Sequence, residues 1–131
     1  MHRLLAHTAD VRAEIAAPDF GSLCREAVAL VRELLVGTSP VVSKEIRVVP
    51  LEGEDEAERF FRFVRELVYL ADADGFLPAD CAPRNGAVEV SGESFDPSRH
   101  GSERQLKAVT RHQYLYRRAQ DGLRAELIFD L

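Results

Sequence analysis

Two stretches of the chain repeat their apolar residues at helical intervals. In SLCREAVALVRELLVG, Leu23, Ala27, Leu30, Val31 and Leu34 recur every three or four residues and form one buried stripe. Ser22 suits the N-cap, because a hydroxyl there accepts from an unpaired amide, and Gly37 suits the stop. In EDEAERFFRFVRELVYLADADG, the stripe is Phe60, Val64, Leu67, Val68 and Ala71, widened by Phe61 and Phe63. Glu54, Asp55 and Glu56 favour its start through the helix dipole, and Gly75 ends it.

Elsewhere the apolar period is two. Val11, Ala13, Ile15 and Ala17 alternate with Arg12, Glu14 and Ala16, predicting a half-buried strand. Val42, Lys44, Ile46 and Val48 predict one face of a second, and Ala87 to Val90 a short third between glycines. From Leu106 to Arg118 a long strand is expected, with Ala108, Thr110, His112, Tyr114 and Tyr116 on one face. Asp121-Gly122 marks a hairpin. A last strand alternates Leu123, Ala125, Leu127, Phe129 and Leu131 against Arg124, Glu126, Ile128 and Asp130. The polar SGESFDPSRHGSE reads as the longest and most mobile loop. This order predicts an α+β fold, with two helices packed on a mainly antiparallel sheet, in a single domain over residues 1–131.

Composition narrows the functions. With 46% hydrophobic and 30% charged residues, the chain can build a core and is far from disordered compositions. No apolar run reaches membrane-spanning length and no signal peptide is evident, so a cytoplasmic location with no membrane partner is expected. A net charge of −5 argues against direct nucleic-acid binding. The charge is uneven, however: residues 1–96 carry 10 basic and 18 acidic side chains, residues 97–131 carry 7 and 4. A mildly cationic C-terminal third could meet an anionic partner, although charge alone favours a solvated strand face. Cys24 and Cys81 lack the spacing of a zinc site and read as free thiols.

Catalytic motifs are absent: there is no P-loop, GxGxxG, GxSxG or HExxH. Cys24 lies on the inner stripe of the first helix, where a thiol is structural. His2, His7, His100 and His112 share no metal-type spacing. The acids near the two ends are the better constellation. If Asp10 approaches Asp130 and the carboxylate of Leu131, three negative charges share one small volume. A divalent cation would neutralise them, and hard oxygens suit calcium or magnesium. His7 and Thr8 could orient such a ligand. Equally, Asp10 could simply end a strand and Asp130 stay solvated; local sequence does not show that the ends meet.

Four segments taken together, HTADV, VSGESFDPSRHG, LKAVTRHQYLY and AELIFDL, resemble the archeases, small proteins that assist the tRNA-splicing RNA ligase. The resemblance spans nearly the whole chain in order. It implies an α+β fold whose ends converge on a metal site, with Asp10, Asp130 and Leu131 as ligands. It also implies a non-catalytic cofactor protein that promotes guanylylation and multiple turnover of the ligase. His7, Thr8, His100, Lys107 and Thr110 are then candidates for ligand support or partner contact. Three departures stand out: Arg12 replaces a small glycine, Arg111 an aromatic residue, and the second helix lacks tryptophan. Two other functions fit the residues, a general chaperone or protein-interaction module and a small metal-dependent phosphate-ester hydrolase.

Overall fold

The computed structural model describes residues 10–131; His7 and Thr8 lie outside the described residues. The elements run β1 (Asp10–Ala17), α1 (Phe20–Val36), β2 (Glu45–Pro50), α2 (Glu56–Asp74), β3 (Phe76–Arg84), β4 (Ala87–Ser94), β5 (Ala108–Ala119) and β6 (Gly122–Asp130). The α+β expectation holds, but the strands form two sheets rather than one. Sheet A has the order β1-β6-β5 and sheet B the order β2-β4-β3, and every pairing is antiparallel.

The helices form where their apolar stripes fall. Leu23, Cys24, Ala27, Val28, Val31 and Leu34 are buried on α1, and Phe60, Phe61, Phe63, Val64, Leu67 and Val68 on α2. Each helix touches strands of both sheets, α1 through β1 and β3, α2 through β5, β3 and β2. One core therefore serves both sheets. The cap of α1 is three residues earlier than expected. Asp19, not Ser22, accepts from the Ser22 amide at 2.8 Å, since its carboxylate also answers the positive end of the helix dipole. Asp55 caps α2 in the same way through Glu58, and Gly37 and Gly75 end the two helices as expected.

The strands bring four corrections. First, β3 went unanticipated, because Pro78 and Pro83 argue against a strand. It lies at a sheet edge, where a missing amide costs nothing. It bulges between Pro78 and Asp80, beside Gly92, where a side chain would place Cβ 1.9 Å from the Leu77 carbonyl oxygen. Second, β2 has the opposite parity to that expected. Val49 is buried and Arg47 half-buried, while Ile46 and Val48 face outward.

Third, β5 does not keep one face. Its register against β6 jumps between Thr110 and Leu115, and Gln113 takes φ 58° within the bulge. Ala108, Thr110 and His112 thus follow one phase and Tyr114 and Tyr116 another, the tyrosines turning toward the core. The hairpin turn sits at Gln120-Asp121, with Gly122 already in β6. Fourth, the first part of the supposed mobile loop is β4, and the rest is tied back to that strand through Arg99 and His100.

Candidate functional site

Strand β6 occupies the middle of sheet A, with β1 on one side and β5 on the other. The antiparallel register sets Asp10 directly opposite Asp130, and Ala108 opposite Asp130 on the far side. Val11 and Phe129, also paired, point into the core. Period-two alternation therefore puts both carboxylates on the outer face. Directly opposed residues have Cβ atoms about 5 Å apart, so the two carboxylates are neighbours. The ends of the described chain do meet.

Asp130 is exposed, Asp10 and Leu131 half-buried, and Leu131 packs against the core. Among the described residues neither aspartate has an ion pair. Two like charges held opposite one another destabilise a sheet unless something offsets them. The Lys107 amide donates to the Asp130 carbonyl at 2.8 Å, which brings Lys107, with its exposed side chain, to the same sheet end. Thr110 lies two residues along β5, and its hydroxyl accepts from the His112 amide at 3.2 Å. Arg12 pairs with Ile128, one row below the aspartates on the same face.

The donors at this end are oxygens only: two carboxylates and the main-chain oxygen of Leu131. Hard donors of this kind fit calcium or magnesium and not zinc. Among the described residues, no group of three or more His, Cys, Asp or Glu side chains converges as a ready-made metal site. Any ion here would draw its remaining ligands from main chain or water.

His100 belongs to a different cluster, one that the sequence pattern did not reveal. Glu93, at the end of β4, is only 2% exposed, and four groups converge on its carboxylate. The Val42 amide donates to Oε2 at 2.6 Å, and Arg99 spans both oxygens with its two terminal nitrogens. Lys44 Nζ stands 3.5 Å from Oε1. His100 Nδ1 accepts from the Asp96 amide at 2.9 Å, so its proton sits on Nε2 and is donated to Glu93 Oε2 at 3.2 Å. The Arg99 guanidinium above all, then the Val42 amide, holds the Glu93 carboxyl far below the usual carboxylate range. This cluster fastens the segment after β4 to the strand itself. None of the hydrogen-bond partners of His100 is Asp10 or Asp130. The signal in the sequence was an acid followed six and seven residues later by Arg and His.

Arg111 also has a structural position. It lies 4.3 Å over the Phe61 ring and grips both oxygens of Glu58, which Arg62 holds from the other side at 2.7 Å. These guanidinium contacts bring the Glu58 carboxyl down to about 2. Tyr114 donates to the Ala57 carbonyl at 2.7 Å and Tyr116 to Glu56, so the bulged half of β5 is sewn to the start of α2. Cys24 and Cys81 are both buried, and burial pushes the Cys24 thiol far up and that of Cys81 to about 12. Neither is a nucleophile at neutral pH. None of the described helices is long and apolar enough to cross a membrane.

Comparison with known proteins adds an independent observation. Residues 2–131 match the model of the archease protein family. The archease of Pyrococcus furiosus is 30% identical, with 95% of this chain and 94% of that protein covered. That of Thermococcus kodakarensis is 30% identical over 88% and 87%. Among solved structures, a Thermotoga maritima protein described as an archease, possible chaperone, superposes with a TM-score of 0.77 at 23% identity, covering 100% of this chain and 98% of its own. Methanobacterium thermoautotrophicum protein 1598 gives 0.69 at 24% identity, covering 97% and 96%. The two superpositions share the fold.

Proposed function

The chain belongs to the archease family, and from that premise we propose that it is a non-catalytic, cytoplasmic partner of a tRNA-splicing RNA ligase. In this role it promotes guanylylation of the ligase and so lets each ligase molecule act many times, without binding nucleic acid directly. The observation that carries the proposal is the register placing Asp10 against Asp130 at one open end of sheet A. Such a pair has no ion-pair partner among the described residues. It weakens the sheet unless a cation shares it.

Asp10, Asp130 and the main-chain oxygen of Leu131 would hold a divalent cation, calcium ahead of magnesium. When bound, the ion supplies positive charge that offsets the two carboxylates. The chain's own residues do the rest. The β1–β6 ladder keeps the two acids at fixed separation, and the Lys107 amide anchors β5 to the same end. A rigid, charged surface with Lys107 at its rim would then bind the guanylylation-competent conformation of the ligase more tightly than others. A partner shifts a conformational equilibrium only through such a difference in affinity.

The test is RNA ligation with the matching ligase, GTP and a divalent cation, with and without this protein. Product should exceed the ligase concentration only when the protein is present, and Asp10→Asn or Asp130→Asn should remove the gain. Equal turnover with and without it would overturn the proposal. A second function, general chaperone activity, draws on the description of the Thermotoga maritima relative and on outward-facing Ile46 and Val48. It predicts that aggregation of unrelated proteins is suppressed with or without added cation.

A further inference from the structure

Sheet B has two edges, and the chain treats them differently. Along β3, α1 lends its arginines: Arg25 donates to the Cys81 carbonyl at 3.2 Å and Arg32 to the Ala79 carbonyl at 2.5 Å. Pro78 and Pro83 on the same strand carry no amide proton. This edge offers little to an incoming strand.

The β2 edge is open among the described residues. The Leu51 amide donates to the Gly86 carbonyl at 3.0 Å, which sets the phase of the β2–β4 ladder. In an antiparallel pair bonded positions alternate, so Val49, Arg47 and Glu45 bond to β4. The N–H and C=O groups of Ile46 and Val48 then point away from β4, toward the open edge. The side chains of these same two residues lie on the outer face, 60% and 62% exposed, and Val42 just before the strand is 46% exposed. Unpaired backbone groups beside exposed β-branched side chains make a template for another strand.

We propose that this edge is the interface of a homodimer, in which β2 pairs antiparallel with β2 of a second copy about a two-fold axis through Ile46. The two copies of sheet B would then join into one six-stranded sheet.

Charge complementarity selects both the occupant and the register. Outward-pointing backbone groups can only bond to outward-pointing groups of the second copy, which restricts the axis to pass through a single residue. An axis through Arg47 sets Arg47 against Arg47, and one through Glu45 sets Glu45 against Glu45. An axis through Val48 sets Glu45 against Leu51 and Arg47 against Val49. With the axis at Ile46, Glu45 of each copy faces Arg47 of the other, twice. Both side chains are partly exposed, Glu45 at 44% and Arg47 at 32%. Within one copy they lie 3.4 Å apart and Arg47 also bonds Asp74 at 3.0 Å, so the contacts to the second copy close a ring of alternating charge around pairs already formed. Opposed unlike charges favour a strand pair and like charges oppose it. Ile46 meets its own copy at the axis and exchanges two backbone hydrogen bonds with it, a self-complementary contact of the kind two-fold symmetry requires.

Sedimentation velocity of the full chain across a concentration series tests this, together with amide exchange at Ile46 and Val48. The wild type should sediment as a dimer, and the two amides should gain protection as concentration rises. Ile46→Lys, at a side chain 60% exposed on the outer face, should give a folded monomer whose cooperative melting no longer depends on concentration. Glu45→Arg should weaken the dimer about tenfold, and the reversed pair Glu45→Arg with Arg47→Glu should recover much of that loss. A wild type that stays monomeric at every concentration overturns the proposal and leaves the edge to a strand from another protein. A dimer that Ile46→Lys leaves as tight as before overturns it as well.

Discussion

The chain holds its carboxylates in two contrasting ways. Glu93 is buried and receives an amide, a guanidinium and an imidazole N–H, with an ammonium close by. Asp10 and Asp130 stand side by side at a sheet end and, among the described residues, have no cation. Glu93 is a finished structural unit, since removing it leaves the buried His100 imidazole and the Val42 amide without their acceptor. The aspartate pair is unfinished in the same sense, and what completes it must come from outside the described chain. On the proposed function, the difference separates an acid that builds the fold from acids that would hold a cation.

The contrast can be broken from either side. Glu93→Ala should cost the most, because it leaves Arg99, His100 and the Val42 amide without their acceptor. Its melting temperature, read by circular dichroism, should fall further than that of any aspartate or lysine variant at the sheet end, with Glu93→Gln falling less. Calcium should act on the other site. At a hundred times its dissociation constant it should stabilise the wild type by about 2.7 kcal/mol and leave Asp10→Asn and Asp130→Asn unmoved. Without cation, either asparagine should raise stability by about 0.2–1 kcal/mol by removing the repulsion, the opposite sign to Glu93→Ala.

Acid sharpens the comparison further. Glu58 and Glu93 titrate lower in the folded chain than when unfolded, so the unfolded state takes up protons first as pH falls. Their stabilisation is complete above the ordinary carboxyl range and declines as pH falls from there toward about 2, where Glu58 protonates. Urea midpoints between pH 6 and pH 3 should decline, and Arg111→Met should flatten part of that slope. The smallest effect belongs to Lys107→Ala. Its exposed side chain should leave stability within about 0.5 kcal/mol, so any loss of ligase turnover would report contact with the partner.

How much of this was legible follows from the range of the forces involved. Both helices, their stripes and their glycine stops are local, and the sequence shows them. The parity of β2 was not legible: Val42, Ile46 and Val48 are apolar, so periodicity assigned them to the core, while Val49 and Arg47 face inward. The bulge in β5 hid a change of face in a run that alternates correctly on either side of it. Strand β3 was masked by prolines that only an edge position tolerates. The Asp10–Asp130 pairing came from motifs near both ends and not from spacing. Glu93 was missed because burial of an acid depends on Val42, 51 residues away.

The place of β6 between β1 and β5 has a consequence for synthesis on the ribosome. Sheet B draws its strands from residues 45–94 and can assemble while later residues are still being added. Sheet A cannot, because both outer strands wait for the one translated last. A chain stopped before Gly122 would leave β1 and β5 without a neighbour and the Asp10 carboxylate without its twin. Formation of the proposed metal end would thus report that translation had run through Asp130.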